Sequence, residues 1–251
     1  MSNKHKNYEI LNLIGYGLAK FDNFVEVFGF KTKTDFYRYC LDSKIAESSS
    51  VIKNRQDLFD PFFDNGRKGW WQNGESYIHR KDKIDLLFGN ETVKNYVEVI
   101  KIYLQTDFGI SSNIEQKNPI TISRFRKMQE TGLEAELYFM KNFEEVRDFK
   151  GGKIDDARLY GDGYDFQISI NKNFFLVEVK GIREERSGIR ITEKEFLTAK
   201  EYGEDYFLSV ISNLNDIPKI RTIKNPLKEL EFKKVEIKSR PQVEYQLIGQ
   251  I

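Results

Sequence analysis

Three ionisable residues lie inside a stretch that otherwise reads as sheet core. In YDFQISI, residues 164–170, Phe166, Ile168 and Ile170 alternate with Asp165, Gln167 and Ser169, the period of a strand with one apolar face. Asn171-Lys172-Asn173 reads as a turn. The following FFLVEVK, residues 174–180, is apolar almost throughout, as in a strand covered on both faces. It nevertheless ends in Glu178 and Lys180, two residues apart and so on one side of the pleat. Paired as a hairpin, the two strands bring Asp165 beside Glu178 and Lys180.

Buried carboxylates are costly unless paired or bound to a metal, and neighbouring carboxylates repel each other. A divalent cation resolves both problems. Mg²⁺ takes hard oxygen ligands, commonly one or two carboxylates with waters and phosphate oxygens. Asp165, Glu178 and the carbonyl of Val179 form a candidate Mg²⁺ site, with Lys180 left to orient or polarise an attacking water and to offset phosphate charge. A structural Glu178–Lys180 ion pair at a strand end accounts for the spacing equally well in a chain that is 31% charged.

This order of residues resembles the PD-(D/E)XK nuclease superfamily, in which an acidic residue on one strand and E-x-K on the next form the catalytic core. More narrowly, residues 132–212 resemble the nuclease-like NO VEIN C-terminal family, also seen in bacterial restriction and defence proteins. The matching pieces are GLEAELYF (132–139), GYDFQI (163–168), FLVEVKG (175–181) and IRITEKEFLTAKEYGEDYFLSVI (189–211), about a third of the chain. The resemblance implies an α/β fold with a mixed-sheet nuclease core, a Mg²⁺-dependent phosphodiesterase, and a helical glutamate, Glu136, completing the catalytic set of Asp165, Glu178 and Lys180. Glu136 shares a helix face with Leu133 and Met140, whereas Glu134 lies about 200° around the same helix, so at most one of the two faces the metal.

Composition limits the alternatives. Apolar residues make up 39% of the 251 and aromatics 14%, enough for a sizeable core. The single cysteine, Cys40, excludes an internal disulfide framework and a cysteine-based zinc site, and is expected to pack as a small hydrophobe. With no signal peptide and no apolar run near 18 residues, a soluble cytoplasmic protein with no membrane partner is expected. His5 and His79 are the only histidines and lie far apart, which gives a histidine metal site little support. Residues 1–120 carry 17 basic and 16 acidic side chains and the remainder 23 of each, so neither part is a basic arm, and a nucleic-acid surface has to be assembled by folding.

Apolar spacing through Ile10, Leu11, Ile14, Leu18 and Phe21 predicts one long or two short helices, weakened at Gly15 and Gly17. Further helices are expected from Thr34 and Asp35 to Ser48–Ser50, over 51–59, and after an Asn90 cap. Between them, Asn73-Gly74 signals a two-residue hairpin flanked by Arg67, Lys68, Gln72, Arg80 and Lys81, candidate DNA contacts. Residues 106–119 mark the expected boundary between a mainly helical region, 1–120, that helps read DNA, and a nuclease domain, 121–251. There Ser123 is expected to cap one long helix reaching about Asn142 and carrying Arg124 and Arg126, further DNA candidates. The loop GIREERSG adds Arg183 and Arg186, with Arg190 just beyond, as phosphate contacts, and Thr192 caps the next helix. The order is then a helix, three strands, a helix and a strand, followed by one or two strands in 230–251, interrupted at Pro241.

Taken together, these features point to a Mg²⁺-dependent endonuclease acting on double-stranded DNA, of the type II restriction class, with a homodimer suited to palindromic targets. A repair or phage-defence nuclease reading DNA structure or modified bases uses the same chemistry. An inactive module binding DNA or protein is the alternative from another class. Clustered Asp165, Glu178 and Lys180 favour the enzyme, since a relic has little physical reason to keep buried charge together.

Overall fold

The computed structural model describes residues 7–110 and 119–235. The first helical stretch divides into α1 (Tyr8–Lys20) and α2 (Phe24–Phe28), followed by α3 (Lys33–Asp42), α4 (Ser49–Phe59), α5 (Ile78–Phe88), α6 (Val93–Phe108) and α7 (Pro119–Gln129). Their apolar faces meet in one core, running from Ile10 through Phe24, Phe36, Phe59, Phe88 and Tyr96 to Met128. Aromatic rings dominate it. Tyr16 alone packs on Phe59, Phe63 and Tyr96 at centroid distances of 5.2 to 5.8 Å, edge-to-face on the two phenylalanines, which adds attraction to the burial. Cys40 is fully buried here, and burial pushes its thiol up to about 12.

Helix α8 (Thr131–Asn142) begins a second core with β1 (Lys153–Asp156), β2 (Phe166–Ile170), β3 (Asn173–Gly181), α9 (Glu193–Tyr202), β4 (Tyr206–Ser212), β5 (Lys219–Lys224) and the short α10 (Pro226–Glu229). The sheet order is β1-β2-β3-β4-β5, with β3 and β4 parallel and every other pair antiparallel. Residues of β3 alternate between two covers. Val177 and Val179 pack with Ala135 and Phe139 of α8, whereas Leu176 packs with Ala199 of α9 and Tyr206. This explains a strand that is apolar in nearly every position. Helix α8 lies unusually close to β3 at Gly181, where a Cβ would stand 2.7 Å from the Thr131 carbonyl oxygen and 2.9 Å from Ala135 Cβ.

Several local expectations are corrected. The Asn73-Gly74 hairpin does not form: Trp71–Asn73 is a turn of 3₁₀ helix, and residues that read as the second strand enter α5. Neither flank can add a third strand or a sheet face, and the α5 residues His79, Arg80 and Lys83 are drawn into a buried seam instead, so tertiary packing overrides the turn signal. The expected helix from Ser123 to Asn142 is two helices, broken at an extended Glu130. Thr32 and Thr92, not Thr34 and Asn90, cap their helices by accepting the backbone N–H three residues on. Ser48 stands at the start of α4 instead of closing the helix before it. Strand β5 was not anticipated, and the strands expected in 230–251 fall mostly outside the described residues; 231–235 have no regular structure. Among the described residues, no helix is long and apolar enough to cross a membrane.

The two cores meet along a polar seam. The Tyr8 hydroxyl lies 3.0 Å from both Glu134 Oε1 and the Leu214 carbonyl oxygen, which share its one proton. Lys83 bridges Glu9 Oε1 at 3.3 Å and Glu134 Oε2 at 3.2 Å, and Arg183 reaches the same two carboxylates while lying over the Tyr8 ring. Arg80 donates to the Asn215 carbonyl and stacks on Tyr8 and Tyr77. His79, fully enclosed beside Glu134, is pushed down to about 4 by burial, so it sits neutral.

Candidate active site

Strand pairing decides what stands at the mouth of the sheet. Phe166 pairs with Val177, and the Asp165 N–H donates to the Val177 carbonyl at 2.9 Å, which sets Asp165 beside the end of β3. One Asp165 oxygen, Oδ2, accepts the Val179 N–H at 2.8 Å. Gly163, at φ +86°, lies against Lys194 and Thr198 of α9, and its carbonyl accepts the Tyr206 hydroxyl of β4 at 2.8 Å. The parallel β3–β4 pair requires a crossover, and α9 supplies it, starting just past the end of β3. Thr192 caps that helix in a full capping box with Glu195.

These constraints gather Glu136, Asp165, Glu178, Val179, Lys180 and Glu195 around one cleft of about 430 Å³, together with Gly132 and Arg190. Lys180 Nζ contacts Glu178 Oε1 at 2.5 Å and Glu195 Oε2 at 2.9 Å. The same Glu195 oxygen accepts the Thr192 N–H at 2.9 Å. Glu136 pairs with Arg158 at 2.9 Å, and Arg158 is held in turn by Asp156.

The charges in this cleft are under-compensated. Burial, reinforced by the nearby Asp165, pushes Glu178 up to about 8. Asp165 is raised to about 6, again by burial first; the Val179 N–H works against that rise and Glu136 adds to it. Burial also disfavours the Lys180 ammonium, but Glu178 and Glu195 outweigh it and hold Lys180 above the usual lysine value. Two carboxyls poised inside or near the physiological range, next to a fixed cation and in an open cleft, form a pattern found at reactive sites more often than in structural ion pairs.

All four residues expected to be catalytic, and Val179, therefore line one cleft. Among the described residues, no three Asp, Glu, His or Cys side chains are gathered into a ready coordination shell. The donors nonetheless suit a hard cation, being oxygen atoms on carboxylates that burial and mutual repulsion leave in need of positive charge. Glu195 was missed. Its capping box is legible in TEKE, residues 192–195, but only the parallel placement of β4 brings that helix start to Lys180.

Candidate DNA contacts are scattered and partly consumed by the fold. Arg80 is buried in the seam, and Arg183 is bound to Glu9 and Glu134 instead of projecting into solvent. Arg67 pairs with Asp57 and Asp60, Lys81 with Asp85, and Arg124 with Glu91. Lys68, Gln72, Arg126 and Arg186 are exposed, and Arg190 faces the cleft.

Residues 135–223 match the family model described as Protein NO VEIN, C-terminal, a span that starts within α8, ends in β5 and includes Asp165, Glu178, Lys180 and Glu195. No curated protein and no solved structure matches the chain.

Proposed function

We propose, with that family match as the premise, that the chain is a nuclease of the PD-(D/E)XK type, a Mg²⁺-dependent endonuclease hydrolysing double-stranded DNA. The observation that carries this reading is the single cleft holding Asp165, Glu178, Lys180 and Glu136, with both inner carboxyls raised. Asp165, Glu178 and the Val179 carbonyl would hold the cation, which supplies Lewis-acid charge at the scissile phosphate. Lys180 keeps its proton and holds the attacking water or a phosphate oxygen by donation, while Glu195 keeps its ammonium at the cleft. Glu136 sits at the cleft wall, restrained by Arg158. Within this class we favour a type II restriction enzyme, in which the helical region, 1–120, contributes to DNA reading and two copies meet a palindromic target.

The test is cleavage of plasmid DNA with Mg²⁺. Glu178→Ala and Asp165→Ala should each lower the rate by about 10²–10³-fold or more while DNA binding survives, because phosphate contacts elsewhere supply most of the affinity. Lys180→Met should lose activity and still bind Mg²⁺ by calorimetry. Cleavage at near wild-type rate in either carboxylate variant would remove the site assignment. Discrete fragments from the wild type support restriction, and a smear supports a structure-directed or non-specific enzyme.

A further inference from the structure

A second cavity, of about 700 Å³, opens in the helical region between α3, α4 and the segment carrying Arg67. Its walls combine three kinds of chemistry. Lys33, Arg38, Lys53 and Arg67 supply four cations against the single lining carboxylate, Asp57. Asp57 is already engaged by Arg67, and among the described residues Lys33 and Lys53 have no ion-pair partner. Lys33, an exposed residue, is lowered by partial burial first and then by the neighbouring Arg67, with Asp60 and Asp22 acting the other way. Tyr37 and Leu41 form an apolar side, with Lys53 over the Tyr37 ring at 5.9 Å. Gln56, 2% exposed, lines the cavity too. Its Nε2 donates to the Leu18 carbonyl at 3.1 Å and to Asp60 Oδ1 at 3.3 Å, which fixes the amide orientation.

Inorganic phosphate would use the cations and nothing else. An aromatic and aliphatic wall and a volume in the range of small-ligand sites call for a larger ligand. We infer that this cavity binds a nucleotide: its phosphate on Lys33, Lys53 and Arg38, and its base or sugar against the side formed by Tyr37 and Leu41. The nucleotide is one unit of a DNA strand or a free mononucleotide. The strand source rests on the proposed nuclease reading, whereas the cavity itself does not.

The experiment uses the full-length protein in EDTA, so that cleavage plays no part. Binding of fluorescein-labelled single- and double-stranded oligonucleotides is followed by anisotropy across a salt series, and AMP and ATP are tested by thermal shift. In Lys33→Ala/Lys53→Ala, oligonucleotide affinity should fall on the order of tenfold and the salt slope by about 1.5–2, two phosphate contacts being lost. Lys94→Ala/Lys200→Ala, which removes exposed lysines elsewhere, should leave both unchanged, and Lys33→Arg/Lys53→Arg should restore binding. Loss confined to oligonucleotides identifies a strand; a nucleotide-induced shift that the double variant abolishes identifies a free nucleotide. Equal oligonucleotide affinity and slope in wild type and double variant, with no nucleotide shift dependent on these lysines, overturns the inference. Plasmid cleavage by the wild type with Mg²⁺, measured separately, keeps the two readings apart: absence of cleavage removes the nuclease reading and leaves the binding result in EDTA untouched.

Discussion

Glu134 and Glu136 leave α8 in opposite directions, and the charges they meet differ in kind. Glu134 enters the seam, where burial would raise it, yet the surrounding charges, Lys83 first, hold it below the ordinary glutamate value. Compensation there is not uniform: Glu9 remains raised by burial, and its Oε2 has no partner among the described residues. Glu136 enters the cleft, where Asp165 and Glu178 have Lys180 as their adjoining cation and both stay raised. Burial is nearly equal for Glu134, 1% exposed, and Glu178, 4% exposed, so burial does not separate these two glutamates. What separates them is how much positive charge arrives with the carboxylates. The seam spends its cations on holding two cores together; the cleft keeps a deficit that a divalent ion would fill.

The comparison can be broken most severely at the seam. Lys83→Met keeps the stem and removes the ammonium that bridges Glu9 and Glu134, leaving Arg183 as the cation paired with both buried carboxylates. Stability measured by urea unfolding should fall by about 3–5 kcal/mol. A loss below about 1 kcal/mol would mean that the Lys83 ammonium does not compensate the seam carboxylates.

A smaller effect of opposite sign is expected in the cleft. Glu178 is raised in the folded chain, so between its unfolded value and about 8 the native state holds more protons than the unfolded state, and stability drops as pH rises through that window. Glu178→Gln removes an ionisation that folding opposes. At pH 9 it should therefore stabilise by about 2–4 kcal/mol, a gain that shrinks towards pH 4.5. Glu134→Gln should destabilise at pH 9. Urea titrations of both variants at the two pH values check the signs; the same sign for both would erase the distinction between seam and cleft.

The smallest expected effect sharpens the cleft side alone. Because a cation displaces protons from Asp165 and Glu178, Mg²⁺ affinity should rise from pH 6 to pH 8, by about tenfold or more, and Mg²⁺ should raise the melting temperature of wild type but not of Glu178→Gln. Calorimetry and thermal melts give both readouts without any substrate. An affinity that does not change with pH would show that the cation does not compete with these protons.

Much of the cleft was legible because its residues break a pattern. Asp165, Glu178 and Lys180 interrupt alternating or continuous apolar runs, and a helical period separates Glu134 from Glu136. The seam was not legible, because His79, Arg80, Lys83 and Arg183 look in sequence like an exposed basic surface, and only the docking of α1 and α5 onto α8 buries them. The same blindness produced the Asn73-Gly74 hairpin: a local turn signal says nothing about whether a sheet is present to receive it. Glu195 sits between these extremes, with its helix start readable and its neighbour Lys180 set by a non-local strand pair.

Gly181 has a mechanical consequence. Helix α8 rests on β3 almost backbone to backbone at this point, so the residue acts as a bearing between the two elements. One added methyl would work as a wedge close to the pivot and tilt the helix about it. Glu134 and Glu136, on opposite flanks of that helix, would swing in opposite senses, and the seam and the cleft would both lose alignment through a change that carries no charge at all.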